Sequence, residues 1–312
     1  MKESVIYQID SLYRDDFRIK GYVFGEGEKS LCVMGSMRGN EIQQTYTCAR
    51  FIQCLKALEA EGKIAHDKQI LVIPSGNPSS MNIQKRFWPT DNTDINRMFP
   101  GYDKGETTQR IAAGIFEAVK EYKRGIQLTS FYLSGEFMPH VRMMTTGLEN
   151  RELAKKFGLP YVVLRQTRPY DTTTLNYNWQ VWETNAFSLY TTVTSRMDKE
   201  SAKQGIQAIL HFMYQEGILT EMAEPVPEKK VSVISDRDMV IARTKEAGFF
   251  EYYTKTGASV KKGDILARVL RPSDGEILDE VKAPVDGILF FLYTEPLVYA
   301  KTAVIKMIPA GR

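Results

Sequence analysis

Residues 31–73 carry the pattern that most restricts the fold. Leu31-Cys32-Val33-Met34 is a short, fully apolar run, as expected of a strand buried on both faces. Gly35 to Gly39 follows as a loop. A helix is predicted over about Glu41 to Glu61, with Ala49, Ile52, Leu55 and Leu58 on one face and Gly62 as its stop. Ile70-Leu71-Val72-Ile73 is a second fully apolar strand. Strand, loop, helix and strand in this order make a βαβ unit. Such a unit demands a parallel sheet with helices packed on its faces, because both sides of an apolar strand must be covered.

The flanking segments extend the same scheme. Phe17 to Phe24 alternates apolar and polar and reads as a strand, with Gly25-Glu26-Gly27 as a turn. Ser75 to Gly105 is rich in Asn, Pro, Asp, Ser and Gly and reads as a long functional loop. A helix is expected over Thr107 to Tyr122, strands at Ile126 to Leu128, Tyr161 to Leu164 and Ala186 to Thr192, and a closing helix over Ser201 to Glu216. The aromatic segment Tyr170 to Tyr190 lacks a clean period. It suggests a loop over a cavity, or equally a satellite core. Met222 to Lys230, with two prolines and mixed charge, reads as a linker. The expected division is therefore 1–221 as an α/β domain, 222–230 as linker and 231–312 as a β-rich domain. The 312 residues suffice for one large core and a smaller second one.

Composition narrows the function classes. The net charge of +3, without a basic stripe interleaved with aromatics, argues against nucleic acid. Apolar runs such as Ile288 to Tyr293 are too short to span a bilayer, and Met1 to Asp16 has no signal-peptide core. Cys32, Cys48 and Cys54 make an odd number and fit no paired framework, so a cytoplasmic protein with reduced thiols is expected.

The strongest chemical signal is Asp94-Ile95-Asn96-Arg97-Met98-Phe99-Pro100-Gly101, preceded by Asn77-Pro78 and Arg86. A guanidinium can grip a carboxylate with two parallel hydrogen bonds, and a neighbouring amide can add a third. The plainer reading is that Asp94 and Arg97 pair within a surface loop. The order of these landmarks resembles the succinylglutamate desuccinylase and aspartoacylase branch of the zinc carboxypeptidases, over nearly the whole chain. That resemblance implies a carboxypeptidase-like α/β fold, a mixed, mainly parallel sheet flanked by helices, followed by a small all-β barrel-sandwich domain. It also implies that Asn96 and Arg97 hold a substrate carboxylate and that Arg86 polarises the scissile carbonyl.

The resemblance fails at the metal. The family places His-Gly-x-Glu after one strand and Asp-Leu-His-Thr after another. This chain has Arg38-Gly39-Asn40-Glu41 and Gln127-Leu128-Thr129 there. Arginine has no lone pair for zinc, and Glu41 alone makes no site, so no zinc is expected at Arg38, Glu41 and Thr129. The family's catalytic glutamate falls on Tyr190, with Glu183 as a stand-in. A relocated metal at Glu41, Glu136 and His140 is the alternative; His66 and His211 read as structural. Arg38 is expected to pair with Glu41 and, with Arg86, Arg97 and Arg142, to make an arginine-rich pocket.

Three functions follow. The first is a deacylase scaffold that binds a small, carboxylate-bearing, acyl-amino-acid-like anion, its zinc hydrolytic centre lost or rebuilt. The second is an active metal-dependent amidohydrolase acting on an N-acyl amino acid. The third is a structural protein assembling through its β domain, for which a homo-oligomer is expected. The segment Gly257 to Leu266 also resembles lipoyl and biotinyl carrier domains. The corresponding turn at 283–287 has no lysine at its tip and Lys306 falls in the final strand, so an unmodified, covering role is expected.

Overall fold

A computed structural model describes residues 1–13, 15–222 and 230–311, so most of the expected linker lies outside the described residues. Ten strands come first: β1 (Lys2–Ile9), β2 (Phe17–Phe24), β3 (Glu28–Ser36), β4 (Lys68–Ser75), β5 (Arg124–Leu128), β6 (Gly135–Phe137), β7 (His140–Met144), β8 (Tyr161–Arg165), β9 (Asn185–Tyr190) and β10 (Ser232–Ser235). Nine of them form one sheet in the order β1-β2-β4-β3-β5-β9-β7-β8-β10. The pairs β3/β4, β3/β5, β5/β9, β7/β8 and β8/β10 are parallel; β1/β2, β2/β4 and β7/β9 are antiparallel. The sheet is thus mixed and mainly parallel.

Helices α1 (Ile42–Ala60), α2 (Pro78–Asn82), α3 (Thr107–Val119), α4 (Arg151–Lys155), α5 (Leu175–Val181) and α6 (Lys199–Gln215) flank it. Alternate residues of one strand serve two cores. Leu31 and Val33 meet Phe51, Leu55 and Phe212 of α1 and α6. Cys32 and Met34 face the cluster of Ile111, Ile115 and Trp179 from α3 and α5. That two-sided burial is why the β3 and β4 sequences are apolar without alternation. No helix of the described residues is long and apolar enough to cross a membrane.

Several expectations change. The charged N-terminal stretch is the edge strand β1, where one face stays wet and no apolar run is needed. The loop over 75–105 contains α2, whose cap Asn77 accepts a hydrogen bond from the Ser80 N–H at 3.2 Å. The aromatic segment is mostly regular, because Thr174 caps α5. Trp179 lies in the core with its indole against Gly125, where any Cβ would stand 2.7 Å from the ring, and its Nε1–H donates to the Val119 carbonyl at 3.3 Å. It is a core residue, and does not wall the cavity.

The remaining strands are β11 (Val240–Arg243), β12 (Gly248–Tyr252), β13 (Ser259–Val260), β14 (Ile265–Leu270), β15 (Ile277–Lys282), β16 (Gly287–Tyr293), β17 (Leu297–Val298) and β18 (Ala303–Pro309). They form two antiparallel sheets, β11-β18-β16-β13 and β15-β14-β12-β17, whose pairing orders end at open edges. The parts are stitched together twice. β6 pairs with β16, and β10 extends the large sheet beside β8. The C-terminal sheets are thereby held over the edge of the large sheet where the arginines converge.

Candidate functional site

A cavity of about 510 Å³ lies between the large sheet and strands β11 and β18. Sheet register builds its floor. Gln127 on β5 pairs with Ser188 on β9, and Ser188 with Arg142 on β7, so three neighbouring strands present one row of side chains. All three line the cavity. The lining holds seven arginines and one lysine against two aspartates, Asp171 and Asp236, so its field is strongly positive.

Arg38 sits deepest in charge contacts. Its Nη1 donates to Glu41 Oε1 at 3.0 Å, while Nε and Nη2 donate to Asp94 Oδ2 at 3.0 and 2.9 Å. Arg38 is 7 % and Glu41 4 % exposed. Gly39 permits this placement: a Cβ there would stand 2.1 Å from the Ser80 backbone. Glu41 is also held by the backbone N–H groups of Met37 and Arg38 at 2.8 and 3.1 Å and by the Ser130 hydroxyl at 2.6 Å. Burial opposes the Arg38 charge, but Glu41 and Asp94 outweigh it and hold the guanidinium above its ordinary range. The expected Arg38–Glu41 pair therefore forms. The plainer reading of Asp94 does not survive, since Asp94 serves Arg38 and not Arg97.

Arg97 turns elsewhere. Its Nη1 donates to the Tyr170 carbonyl at 2.5 Å and lies 3.7 Å from Asp171. Asn96 uses Oδ1 to accept from the Leu175 N–H at 3.3 Å, so it also positions α5. Arg86 lines the cavity and is depressed by burial and by the neighbouring Arg38. Arg165 is held above its ordinary range because Asp171, at 3.2 Å, outweighs its burial.

Arg142 differs from these. Among the described residues no carboxylate pairs with it. Its guanidinium stands 4.7 Å over the Tyr190 ring, and burial pushes its pKa down. Tyr190 in turn stacks on His140 at 4.6 Å. Burial raises the Tyr190 phenol despite Arg142, so it keeps its proton and is no general base.

Other expected site residues do not converge. Glu183 is exposed and precedes β9, while Tyr190 ends it, roughly 20 Å away at about 3.3 Å per residue. Glu136 lies 3.6 Å from Arg196, in a second cavity of about 770 Å³. His140 is 3 % exposed and its Nδ1–H donates to the Met138 carbonyl at 2.8 Å. Thr129 donates its hydroxyl to the Gln127 carbonyl at 3.0 Å. The proposed set of Glu41, Glu136 and His140 is thus dispersed, and among the described residues no group of three or more His, Cys, Asp or Glu is placed to hold a metal.

Among the cavity residues that sequence reasoning missed are Asn176, Arg165 and Lys306. Asn176 is 2 % exposed with both amide atoms unpartnered, a state no local sequence signal marks. Arg165, ending a predicted strand, could have been found.

Burial pushes the His140 pKa down to about 3, well below its ordinary value of 6.5. The unfolded chain then binds the proton more readily. Stability from this group is complete above pH 6.5 and is lost as pH falls toward 3, with a slope on the order of 1 kcal/mol per pH unit. Urea unfolding between pH 7 and 5 is expected to show this slope, and His140→Phe to flatten it. An equal slope in both proteins would refute the assignment.

Residues 28–215 match the family described as the succinylglutamate desuccinylase/aspartoacylase catalytic domain. An N-alpha-acetyl-L-2,4-diaminobutyric acid deacetylase of Halomonas elongata is 20% identical over 290 residues, spanning 85% of this chain and 77% of that protein. A succinylglutamate desuccinylase structure from Silicibacter sp. TM1040 superposes with a TM-score of 0.80 at 18% identity, covering 98% of this chain and 94% of that one. The product-bound ectoine utilization protein EutE (DoeB) of Ruegeria pomeroyi gives 0.73 at 20% identity, covering 94% and 91%.

Proposed function

Since the chain belongs to the succinylglutamate desuccinylase/aspartoacylase family, we propose that it binds a small carboxylate-bearing ligand of the acyl-amino-acid kind, without the family's zinc centre. Zinc does not fit the residues at the family's positions. Arg38 carries a fixed proton and charge there, Glu41 is saturated by four donors, and the Thr129 hydroxyl is spent on a carbonyl. The reading is carried by one observation, the excess of cations in the lining with Arg142 left without a carboxylate. A partly buried guanidinium in a site this positive, opposed by Asp171 and Asp236 only from beyond ion-pair distance, is stabilised further by an anion arriving from outside. The C-terminal sheets, which we read as a barrel-sandwich module, wall the cavity with Arg243 and Lys306.

The names of the relatives supply the test ligands: N-succinylglutamate and N-acetyl-2,4-diaminobutyrate, with succinate as the minimal dianion. Calorimetry at low salt is expected to give micromolar to millimolar binding of the acidic ligands, weakening with salt, and no cleaved acyl group by mass spectrometry. Hydrolysis that is lost with chelator and restored by zinc would sink the metal-free reading.

A further inference from the structure

We propose that Lys306 is an imine-forming lysine, its amine condensing with the carbonyl of a small oxo-acid whose carboxylate the neighbouring arginines hold. The proposal rests on the anion-binding reading above and adds a covalent step to it. Lys306 lies in the middle of β18, opposite Ile241 of β11 and Phe291 of β16, and its side chain lines the cavity. The amine stands 4.4 Å from the Phe131 ring centre and 5.9 Å from that of Phe291. It forms no ion pair with any described carboxylate.

The charges facing it are Arg142 of β7, Arg165 of β8 and Arg243 of β11, with His140 alongside. Asp236, after β10, opposes them, and Asp171 is the other aspartate of the cavity among the described residues. A lysine that merely neutralised a structural carboxylate would be paired with it. Here the amine sits over aromatic rings among cations, the two conditions that make a lysine nucleophilic. Asn176 faces the same cavity with both amide atoms buried and unpartnered, leaving an N–H donor for the ligand's oxygens and an acceptor for the carbinolamine hydroxyl.

The step balances without a redox partner. The ammonium first gives one proton to water. The neutral amine's lone pair forms the C–N bond at the carbonyl carbon, giving a carbinolamine. The carbonyl oxygen then leaves as water, taking one proton from the nitrogen and one from solvent, and a protonated imine (iminium) with one N–H remains. Burial pushes the Lys306 ammonium down to about 8, and Arg142 and Arg165 push the same way. At pH 7 roughly one such amine in ten is neutral, against roughly one in three thousand at the ordinary lysine value, a ~300-fold advantage over a surface lysine.

The test incubates the full chain with glyoxylate and cyanoborohydride at pH 7, followed by intact mass and peptide mapping, with succinate calorimetry on the same preparation. One adduct is expected, heavier by the mass of the acid less one oxygen, on Lys306. It should form ~100-fold faster than on exposed lysines such as Lys301. Succinate should slow it, and at pH 10 the preference should narrow to a few-fold. Lys306→Arg should abolish the adduct while unfolding at the same urea concentration as wild type, which separates loss of the nucleophile from loss of the fold. Succinate binding with adducts scattered over surface lysines overturns the imine while leaving the anion reading intact. Neither binding nor adduct overturns both.

Discussion

Replacing Arg142 with methionine is expected to weaken succinate binding by about 2–4 kcal/mol, roughly 30- to 1,000-fold in Kd, while leaving the protein as stable as wild type or more so. The opposite signs follow from the environment. Arg142 is partly buried, has no carboxylate within ion-pair distance among the described residues, and gains the Tyr190 ring and only the longer-range fields of Asp171 and Asp236 in return. A cation over an aromatic face is worth ~0.5–2 kcal/mol, less than the desolvation it must offset. Methionine retains most of the side-chain volume and removes the charge, so the folded state gains ~0–2 kcal/mol. Calorimetry and urea unfolding on one preparation read both effects. Parallel losses of binding and stability would mean that Arg142 is a packing residue and not a ligand site.

Arg38→Met is expected to do the reverse, destabilising the fold by ~3–5 kcal/mol, because Glu41 and Asp94 would remain buried without their cation. Three donated hydrogen bonds vanish together, and two carboxylates that had shared a guanidinium face each other across the gap. The triple change Arg38→Met, Glu41→Gln, Asp94→Asn is expected to recover most of the loss, since it removes the whole charge set. Denaturant midpoints at pH 7 decide the matter. A triple variant no more stable than the single one would show that Arg38 acts through packing alone.

These two arginines were only partly distinguished in the sequence. Both fell on segments that resemble the family's site, and both were assigned to ligand binding. Locally they differ only by Glu41, three residues from Arg38 and expected to pair with it; the second carboxylate, Asp94, is 56 residues away. Only folding brings the 94–97 turn against the β3 loop and gives Arg38 a second carboxylate, while β7 leaves Arg142 facing open space. The same holds for Glu136 and His140. They are four apart in the chain, yet on β6 and β7 they face a second cavity and an aromatic stack.

What the sequence by itself determined is the scaffold. The apolar runs of β3 and β4, the helix between them and the glycine at its end are local patterns, and each demands the same βαβ layering. The Asp94 to Gly101 motif likewise contains two residues, Asn96 and Arg97, that line the cavity. What the tertiary structure decided is which charges are already spent. Net charge at a site is a sum over partners from distant strands and loops, and no local pattern records that sum. Sheet register set Gln127, Ser188 and Arg142 in one row. The docking of β18 then placed Lys306 across the cavity from them, because β6 and β10 stitch the C-terminal sheets onto the large one.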